Sequence, residues 1–266
     1  MAITLEHPAA TRRPAACGPD TGTKPDQAEP AARSVEMNRV EFLKAVPLFA
    51  GLNDAELQAL AADLVARRFA AGETIFCEGD VGQALYLVAA GQVRIFVHGD
   101  GGQEASVTWY RSGDFFGELA LIDAGPRSAS AVATQGALVY ALSGDRFHEH
   151  MRRSPQLAWN FLEALSVRVR NSTRQFGSLS LLDIPARLAH KLLELAQAHG
   201  EPGGDGVRIG LALTQSDLAS LVGATRESIN KVLGAFRRKG VIRMEHGHIV
   251  VVDREGLARW VDGGHE

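Results

Sequence analysis

Apolar and polar residues alternate over short stretches in the first half of the chain, and glycines separate those stretches. Between Phe69 and Leu142, four apolar runs each end at a turn that contains glycine. The runs cover residues 74–77, 85–88, 93–97 and 107–110. Strands this short, with turn residues this closely spaced, are typical of a small β-barrel or β-roll.

Helical spacing replaces the alternation on both sides of this region. Asn53 is a helix cap with Glu56 three residues later, and Ser154 followed by Pro155 marks the start of a longer helix. Apolar or small residues then recur every three or four positions: Phe161, Leu165, Val169, Ser172, Phe176 and Leu179. So long a seam predicts pairing with a second copy in a homodimer. The run Leu181–Pro185 is expected to end the helix and to form a hinge, because the residue before a proline avoids helical geometry.

Near the C-terminal end, the pattern predicts two short helices joined by a glycine turn. Thr214 caps the first, which runs to Val222, and Thr225 caps the second after Gly223. The second helix has an apolar face at Ile229, Val232, Leu233 and Phe236. Its opposite face carries Arg226, Glu227, Asn230 and Lys231. This is the pattern of a helix-turn-helix, whose second helix lies in the DNA major groove.

A basic run and a hairpin follow that second helix. Lys239 lies in the basic run 237–239, whose charge suits phosphate groups. Apolar residues 241–242 and 249–252 flank Gly247, which predicts a hairpin, the wing of a winged helix-turn-helix.

The charge distribution agrees with a two-part molecule. Residues 37–150 contain 8 Lys and Arg against 14 Asp and Glu, whereas residues 185–243 contain 9 against 5. An acidic front part and a basic rear part indicate a sensor joined to a segment that meets a polyanion. Residues 1–36 hold half of the ten prolines, which predicts a disordered tail.

The sequence favours a soluble protein of the cytoplasm, without a membrane segment. No apolar run reaches the length of a membrane span, and the two cysteines, Cys17 and Cys77, are too few for a disulfide framework. Cys77 is interpreted as a buried strand residue rather than a redox centre. His148 and His150 are interpreted as surface-loop residues rather than metal ligands, so no metal and no catalytic residue is predicted.

The richest chemistry lies in residues 117–129, Gly-Glu-Leu-Ala-Leu-Ile-Asp-Ala-Gly-Pro-Arg-Ser-Ala, which we call the cassette. Gly117 allows close approach of a ligand, and Glu118 is an acceptor suited to a sugar hydroxyl. Arg127 and Ser128 suit a phosphate, as do the free amides of a short helical turn that is predicted to start from Glu118. The combination suits a phosphorylated sugar.

The cassette closely resembles the phosphate-binding cassette of cyclic-nucleotide-binding domains. Together with the long helix and the winged helix, it resembles the cyclic-AMP receptor protein (catabolite activator) and FNR family of bacterial transcription regulators, over roughly residues 40–255. The resemblance implies an α+β chain in four parts. These are a tail (1–36), a cyclic-nucleotide-binding β-roll (37–153), a dimerisation helix with hinge (154–182) and a winged helix-turn-helix (183–266).

The resemblance also implies roles for single residues. Glu118 would bind the ribose 2′-hydroxyl, and Arg127 with Ser128 the cyclic phosphate. Ile95 and Val107 would pack on the nucleotide, beside Gly117 and Leu119. The family's Thr-Ser pair for adenine is here Ser172-Thr173, in reversed order.

On the DNA side, the family reads a TGTGA-type half-site through Arg, Glu and a second Arg. This chain keeps Arg226 and Glu227 but has Lys231 in place of the second Arg, which removes the bidentate fork at that position. The remaining residues assigned to DNA are Thr214, Gln215, Thr225, Asn230 and Lys239. The implied partners are double-stranded DNA, cyclic AMP as effector rather than cofactor, a second copy of the chain, and RNA polymerase.

Three functions remain open on the sequence alone. The first is a transcription regulator that responds to cyclic AMP, as activator or repressor. The second is the same architecture with cyclic GMP as effector, or with none. The third is a nucleotide-regulated enzyme subunit. It would need a catalytic domain, and the helix-turn-helix lies where such a domain would be expected.

Overall fold

The structure, a computed structural model, describes residues 39–99 and 104–261, which form two compact bodies. The N-terminal body comprises the described residues before position 100 together with Tyr110–Asn160. The C-terminal body comprises Glu104–Trp109 and the described residues from Phe161 onwards. The predicted tail, residues 1–36, lies outside the described residues.

The N-terminal body starts with helices and continues mainly as strands. In chain order the elements of this half are α1 (Arg39–Ala45), a 3₁₀ turn (Pro47–Phe49), α2 (Asp54–Asp63), β1 (Val65–Phe69), β2 (Thr74–Phe76), β3 (Ala84–Ala90), β4 (Gln92–His98), β5 (Glu104–Arg111), β6 (Phe115–Phe116), α3 (Leu119–Ile122), β7 (Ser130–Ala133), β8 (Ala137–Ser143) and α4 (Gly144–Arg153). The predicted capping box of α2 is present, with Asn53 and Glu56 each accepting from the other's backbone N–H.

Two antiparallel sheets form the roll. One has the order β1-β8-β3-β6, and the other contains β2, β7 and β4 in that order. Apolar side chains from both sheets form one buried cluster, which includes Phe76, Tyr86, Val93, Ile95 and Phe116. The predicted β-rich N-terminal part is therefore confirmed.

A long helix and a mixed domain complete the chain. The elements are α5 (Pro155–Leu181), α6 (Ile184–His199), β9 (Gly200–Gly203), β10 (Gly206–Ile209), α7 (Gln215–Val222), α8 (Arg226–Arg238), β11 (Ile242–Glu245), β12 (His248–Val251) and α9 (Arg254–Val261). The last four strands form a sheet of order β11-β12-β10-β9. Helices α6, α7 and α8 cover a second buried cluster, which also contains Trp109 of β5.

The long helix ends at Leu181, within the segment where its end was predicted, but the proline is not the cause. Ile184 and Pro185 lie in the first turn of α6, a helix that the sequence analysis did not predict. The side chain of Asp183 caps α6 by accepting from the backbone N–H of Ala186 at 2.9 Å. A proline is tolerated in a first helical turn because its missing N–H would have no intrahelical partner there.

The interpretation of His148 and His150 as surface-loop residues is wrong, because both lie on α4. His150 is buried and its Nε2 lies 2.9 Å from Oδ2 of Asp63, while His148 Nε2 lies 2.8 Å from the carbonyl oxygen of Leu121. These contacts fasten α4 to α2 and to α3. Among the described residues, no group of His, Cys, Asp and Glu is arranged to hold a metal ion.

Cys77 is buried, as expected, at 5% exposure. It is not a strand residue, because β2 ends at Phe76, and its backbone N–H donates to Oδ2 of Asp80 at 2.9 Å.

Candidate functional site

The cassette begins where β6 ends, at a position that only glycine suits. Gly117 has φ +80°, and a Cβ added there would lie 2.7 Å from Nη1 of Arg127. The chain then enters α3, the short helical turn expected from the sequence. Gly117 therefore brings the backbone against the arginine ten residues later in the chain.

Arg127 is an enclosed positive charge within the cassette. The side chain is 3% exposed, its Nη1 donates to the carbonyl oxygen of Gly117 at 2.5 Å, and its Nη2 donates to that of Ala84 at 3.0 Å. The guanidinium carbon lies 4.2 Å from the ring centroid of Phe76 and 5.6 Å from that of Tyr86. Backbone dipoles and aromatic faces thus hold a permanent positive charge at one place in the roll.

The C-terminal part of the cassette, around Arg127, is hydrogen-bonded to the loop that follows β2. The backbone N–H of Arg127 donates to the carbonyl of Asp80, and the N–H of Gly79 donates to the carbonyl of Arg127, both at 2.8 Å. Val81 and Pro126 form a β-bridge next to this pair. The backbone of Arg127 is therefore held as firmly as its side chain.

The other residues assigned to the nucleotide divide between the two bodies. Glu118 is 3% exposed, Leu119 is 46% exposed, and Ser128 is exposed, all on the cassette itself. Ile95 belongs to the buried cluster of the roll. The remaining three belong to the C-terminal body, where all are exposed in the single chain: Val107, Ser172 and Thr173.

Sequence reasoning missed the aromatic surroundings of Arg127. Phe76 and Tyr86 lie on different strands, and Tyr86, Phe76 and Phe116 have ring centroids within 5.3–5.9 Å of one another. The alternation along β3 could have shown that Ala84 and Tyr86, two residues apart, lie on the same face of the strand. The spacing could not show that Phe76, on another strand, packs against Tyr86.

The predicted helix-turn-helix is present in the C-terminal body. Thr214 caps α7 in a reciprocal box with Asp217, and Gly223 has the left-handed φ of +61° that ends the helix. Thr225 caps α8 by accepting from the N–H of Ser228 at 3.1 Å. The hydroxyls of Thr214 and Thr225 are thus engaged in the helix starts.

Helix α8 has the two faces expected from its sequence. Ile229, Leu233 and Phe236 are buried, and Val232 is partly buried against the same cluster. The four residues of the opposite face, which we call the recognition face, are exposed: Arg226, Glu227, Asn230 and Lys231. Gln215, the first residue of α7, reaches this face and donates from Nε2 to Oδ1 of Asn230 at 3.2 Å. Lys239 follows the end of α8 and is exposed.

The predicted hairpin is formed by β11 and β12. His246 and Gly247 join the strands with φ values of +47° and +83°, as a two-residue turn with positive φ at both positions requires. Arg243 on β11 pairs with Asp205 in the β9–β10 turn and, at 2.7 Å, with Glu245. The hydrogen bond from Arg243 lowers the pKa of Asp205 below its ordinary value.

The exposed seam of α5 starts one residue later than predicted. Phe161 is 1% exposed, whereas Leu162 is 56%, Val169 is 65% and Phe176 is 74% exposed. These three residues are spaced by seven, and Leu165 and Ser172 lie at the intervening positions of the same heptads. A strict seven-residue repeat is the pattern of a two-helix seam. The side chain of Leu179, the last predicted member, lies outside the described residues.

Comparison with known proteins gives a consistent result for both bodies. The family profile "Cyclic nucleotide-binding domain" matches residues 66–154, and the profile "Crp-like helix-turn-helix domain" matches residues 186–260. A CRP-like cAMP-activated global transcriptional regulator of Mycobacterium tuberculosis is 34% identical over 82% of this chain and 98% of that protein. The cyclic AMP receptor protein of Thermus thermophilus is 36% identical over 79% of this chain and 94% of that protein.

A solved structure extends the comparison to the fold. The c-di-GMP-responsive global regulator CLP of Xanthomonas campestris aligns with a TM-score of 0.62 and 25% identity, over 75% of this chain and 99% of that one.

No helix within residues 39–99 and 104–261 combines the length and apolar character needed to span a bilayer.

Proposed function

Because the chain belongs to the cyclic-AMP receptor protein family of transcription regulators, we propose that cyclic AMP is its effector and a TGTGA-like palindrome its target. At the coarser level, it is a cyclic-nucleotide-responsive, DNA-binding transcription regulator, and its relatives are regulators rather than enzymes. We propose that it acts in the cytoplasm as a homodimer, with RNA polymerase as a further partner. The proposed domains keep the boundaries 1–36, 37–153, 154–182 and 183–266.

The observation that carries the proposal is the enclosed guanidinium of Arg127. A cyclic phosphate needs a fixed positive charge, and the aromatic faces and backbone carbonyls around Arg127 supply the fixed position. Glu118 lies next to Gly117 in the same cassette and supplies the acceptor for a ribose hydroxyl. Ile95 and Leu119 add apolar surface for the nucleotide, and Ser128 a hydroxyl for its phosphate.

Adenine is the base we propose, through Ser172 and Thr173 of α5, with Val107 as a further packing residue. Both hydroxyl residues are exposed, and the hydroxyl of Thr173 donates to the carbonyl of Val169 at 3.0 Å, which leaves its oxygen as an acceptor for an amino group. The relatives in Mycobacterium tuberculosis and Thermus thermophilus are named for cyclic AMP. The Xanthomonas relative is named for c-di-GMP, so that nucleotide belongs in any test of selectivity.

DNA reading is assigned to the recognition face of α8. Arg226 can bind a guanine through two hydrogen bonds, Glu227 can accept from the amino group of a cytosine, and Lys231 can donate to a guanine as a single charge. Thr214, Thr225 and Lys239 lie at helix ends, where backbone and side-chain groups suit phosphates. Two linked copies would place two such helices one helical turn of DNA apart.

A mobility-shift titration tests effector and target together. Full-length protein would be titrated onto a TGTGA palindrome and onto a scrambled duplex, with cyclic AMP, cyclic GMP, c-di-GMP or no nucleotide. We expect cyclic AMP alone to tighten binding, and only to the palindrome. Equal binding without nucleotide would contradict the effector assignment, and equal binding to both duplexes would contradict sequence-specific recognition.

The heptad seam offers a matched test of the homodimer. Val169→Glu places like charges opposite each other if the seam pairs two copies, whereas Val167, 51% exposed, lies on another face of α5. By sedimentation we expect Val169→Glu to be a monomer and Val167→Glu to remain a dimer. A dimeric Val169→Glu variant would exclude this seam as the interface.

A further inference from the structure

The hydrogen bond between Gln215 and Asn230 joins the two helices of the helix-turn-helix on its exposed side. Gln215 is the first residue of α7 and is half-buried, whereas Asn230 is exposed in the recognition face, one turn after Arg226. The bond has a direction: Nε2 of Gln215 donates, and Oδ1 of Asn230 accepts, at 3.2 Å. One side chain of the recognition face is therefore already bound to the protein before DNA arrives.

The direction matters because an asparagine amide has two unlike ends. Its oxygen only accepts hydrogen bonds and its NH₂ group only donates them. With the oxygen turned towards Gln215, the NH₂ group is the end left for a partner outside the protein. In the major groove, guanine presents two acceptors, N7 and O6, whereas cytosine presents an amino donor.

We infer that Gln215 is a specificity-determining positioning residue, which fixes the Asn230 amide so that Asn230 meets a base as a hydrogen-bond donor. This rests on the proposed function, in which α8 enters the major groove. Asn230 then favours guanine over cytosine at one base pair of each half-site. Gln215 acts through Asn230, and the bond between them strengthens when DNA excludes water from the two amides.

Two substitutions of Gln215 change the polarity in different ways. Gln215→Met keeps the length of the side chain and removes the donor, so the Asn230 amide can turn either way. Gln215→Glu replaces the donor with an acceptor, which attracts the NH₂ group of Asn230 and turns its oxygen outward. Ser216→Glu, at the exposed neighbouring position, adds the same charge without the bond and is the matched control.

The experiment measures binding of the full-length protein, with cyclic AMP, to palindromes in which each base pair of the half-site is varied symmetrically. Asn230→Ala first identifies the pair at which discrimination depends on this residue. At that pair we expect the wild type to prefer one orientation of G·C by about five- to tenfold. We expect a ratio near one for Gln215→Met, a reversed ratio for Gln215→Glu, and the wild-type ratio for Ser216→Glu.

Each alternative outcome decides a different question. If both Gln215 variants weaken binding to all duplexes equally and leave every preference between G·C orientations unchanged, Gln215 contacts only the DNA phosphates and the inference is wrong. If Asn230→Ala changes no ratio while the protein still discriminates at other pairs, Asn230 reads no base and the inference again fails. If the wild type distinguishes no palindrome from a scrambled duplex, the proposed function itself fails.

Discussion

The two arginines on which the proposed function depends lie in opposite surroundings. Arg127 is 3% exposed, donates to the carbonyls of Gly117 and Ala84, and lies against the ring of Phe76. Arg226 is exposed as the first residue of α8. A charge that also donates to part-buried carbonyls couples ligand binding to stability, whereas a charge displayed on a helix surface can be changed with little effect on folding.

Arg127→Ala should have the largest effect, on binding and on folding. Loss of a charged hydrogen-bonding group from the proposed phosphate site should lower nucleotide affinity by about a hundredfold or more. The two part-buried carbonyls also lose their donor, which should cost about 1–3 kcal/mol of unfolding free energy. Calorimetry and urea unfolding measure the two effects, with Arg68→Ala, an exposed strand residue, as control. Undiminished nucleotide binding would remove Arg127 from the site.

Gly117→Ala should show whether nucleotide binding depends on the position of the Arg127 guanidinium, because it displaces this group and keeps its charge. The new methyl group would lie 2.7 Å from Nη1 of Arg127, in a backbone conformation with φ +80°. Gly72 has φ +82° and open space around its Cβ position, so Gly72→Ala introduces the strain without the collision. We expect both variants to lose about 1–2 kcal/mol of stability from the left-handed backbone. Only Gly117→Ala should lose nucleotide affinity, by about tenfold, measured by calorimetry. Equal affinities for the two variants would contradict a role of the Gly117–Arg127 contact.

Arg226→Ala should affect DNA binding and leave the unfolding midpoint unchanged. We expect a loss of about 1–3 kcal/mol on the preferred palindrome and relaxed discrimination at a single guanine. Lys239→Ala, in contrast, should weaken all duplexes alike and reduce the salt slope by about one. Filter binding over a salt series distinguishes them. Uniform weakening by Arg226→Ala would mean that α8 does not read bases.

Asp205→Asn should have the smallest effect, because its ion pair with Arg243 is exposed to solvent. The folded pKa of Asp205 is lowered, first by the hydrogen bond from Arg243. Its contribution is therefore present above the pKa of the unfolded carboxyl group and is lost as the pH falls through the lower folded value. We expect a slight loss of stability at neutral pH that disappears in strong acid, measured by urea unfolding. A difference that grows in acid would contradict the lowered pKa.

Local signals in the sequence predicted the helix starts well. Asn53, Thr214 and Thr225 each accept from a backbone N–H three residues later, as their capping patterns indicated. Gly223 has the conformation that the turn requires. These features depend on residues close in sequence, so spacing alone contains the information.

Features that depend on distant residues were missed or misplaced. The spacing of apolar residues along α5 allows either Phe161 or Leu162 to start the exposed seam. Packing in the fold buries Phe161 and leaves Leu162 exposed, and no sequence pattern shows this. The contact of Phe76 with Arg127 joins positions 51 residues apart in the chain. No pattern in the sequence pointed to Trp109 as part of the cluster under α8.

The pairing of β1 with β8 has a consequence for synthesis of the chain. Val65 lies opposite Ala141 and Phe69 opposite Ala137, so the sheet closes only after the whole stretch between them has left the ribosome. Helices α7 and α8 bring together residues that follow one another closely and can form as soon as they emerge. Long-range strand pairing is the slower process. An early stop codon or a translational pause before β8 would therefore leave exposed strand edges, and the nascent chain would need protection from aggregation until that strand arrives.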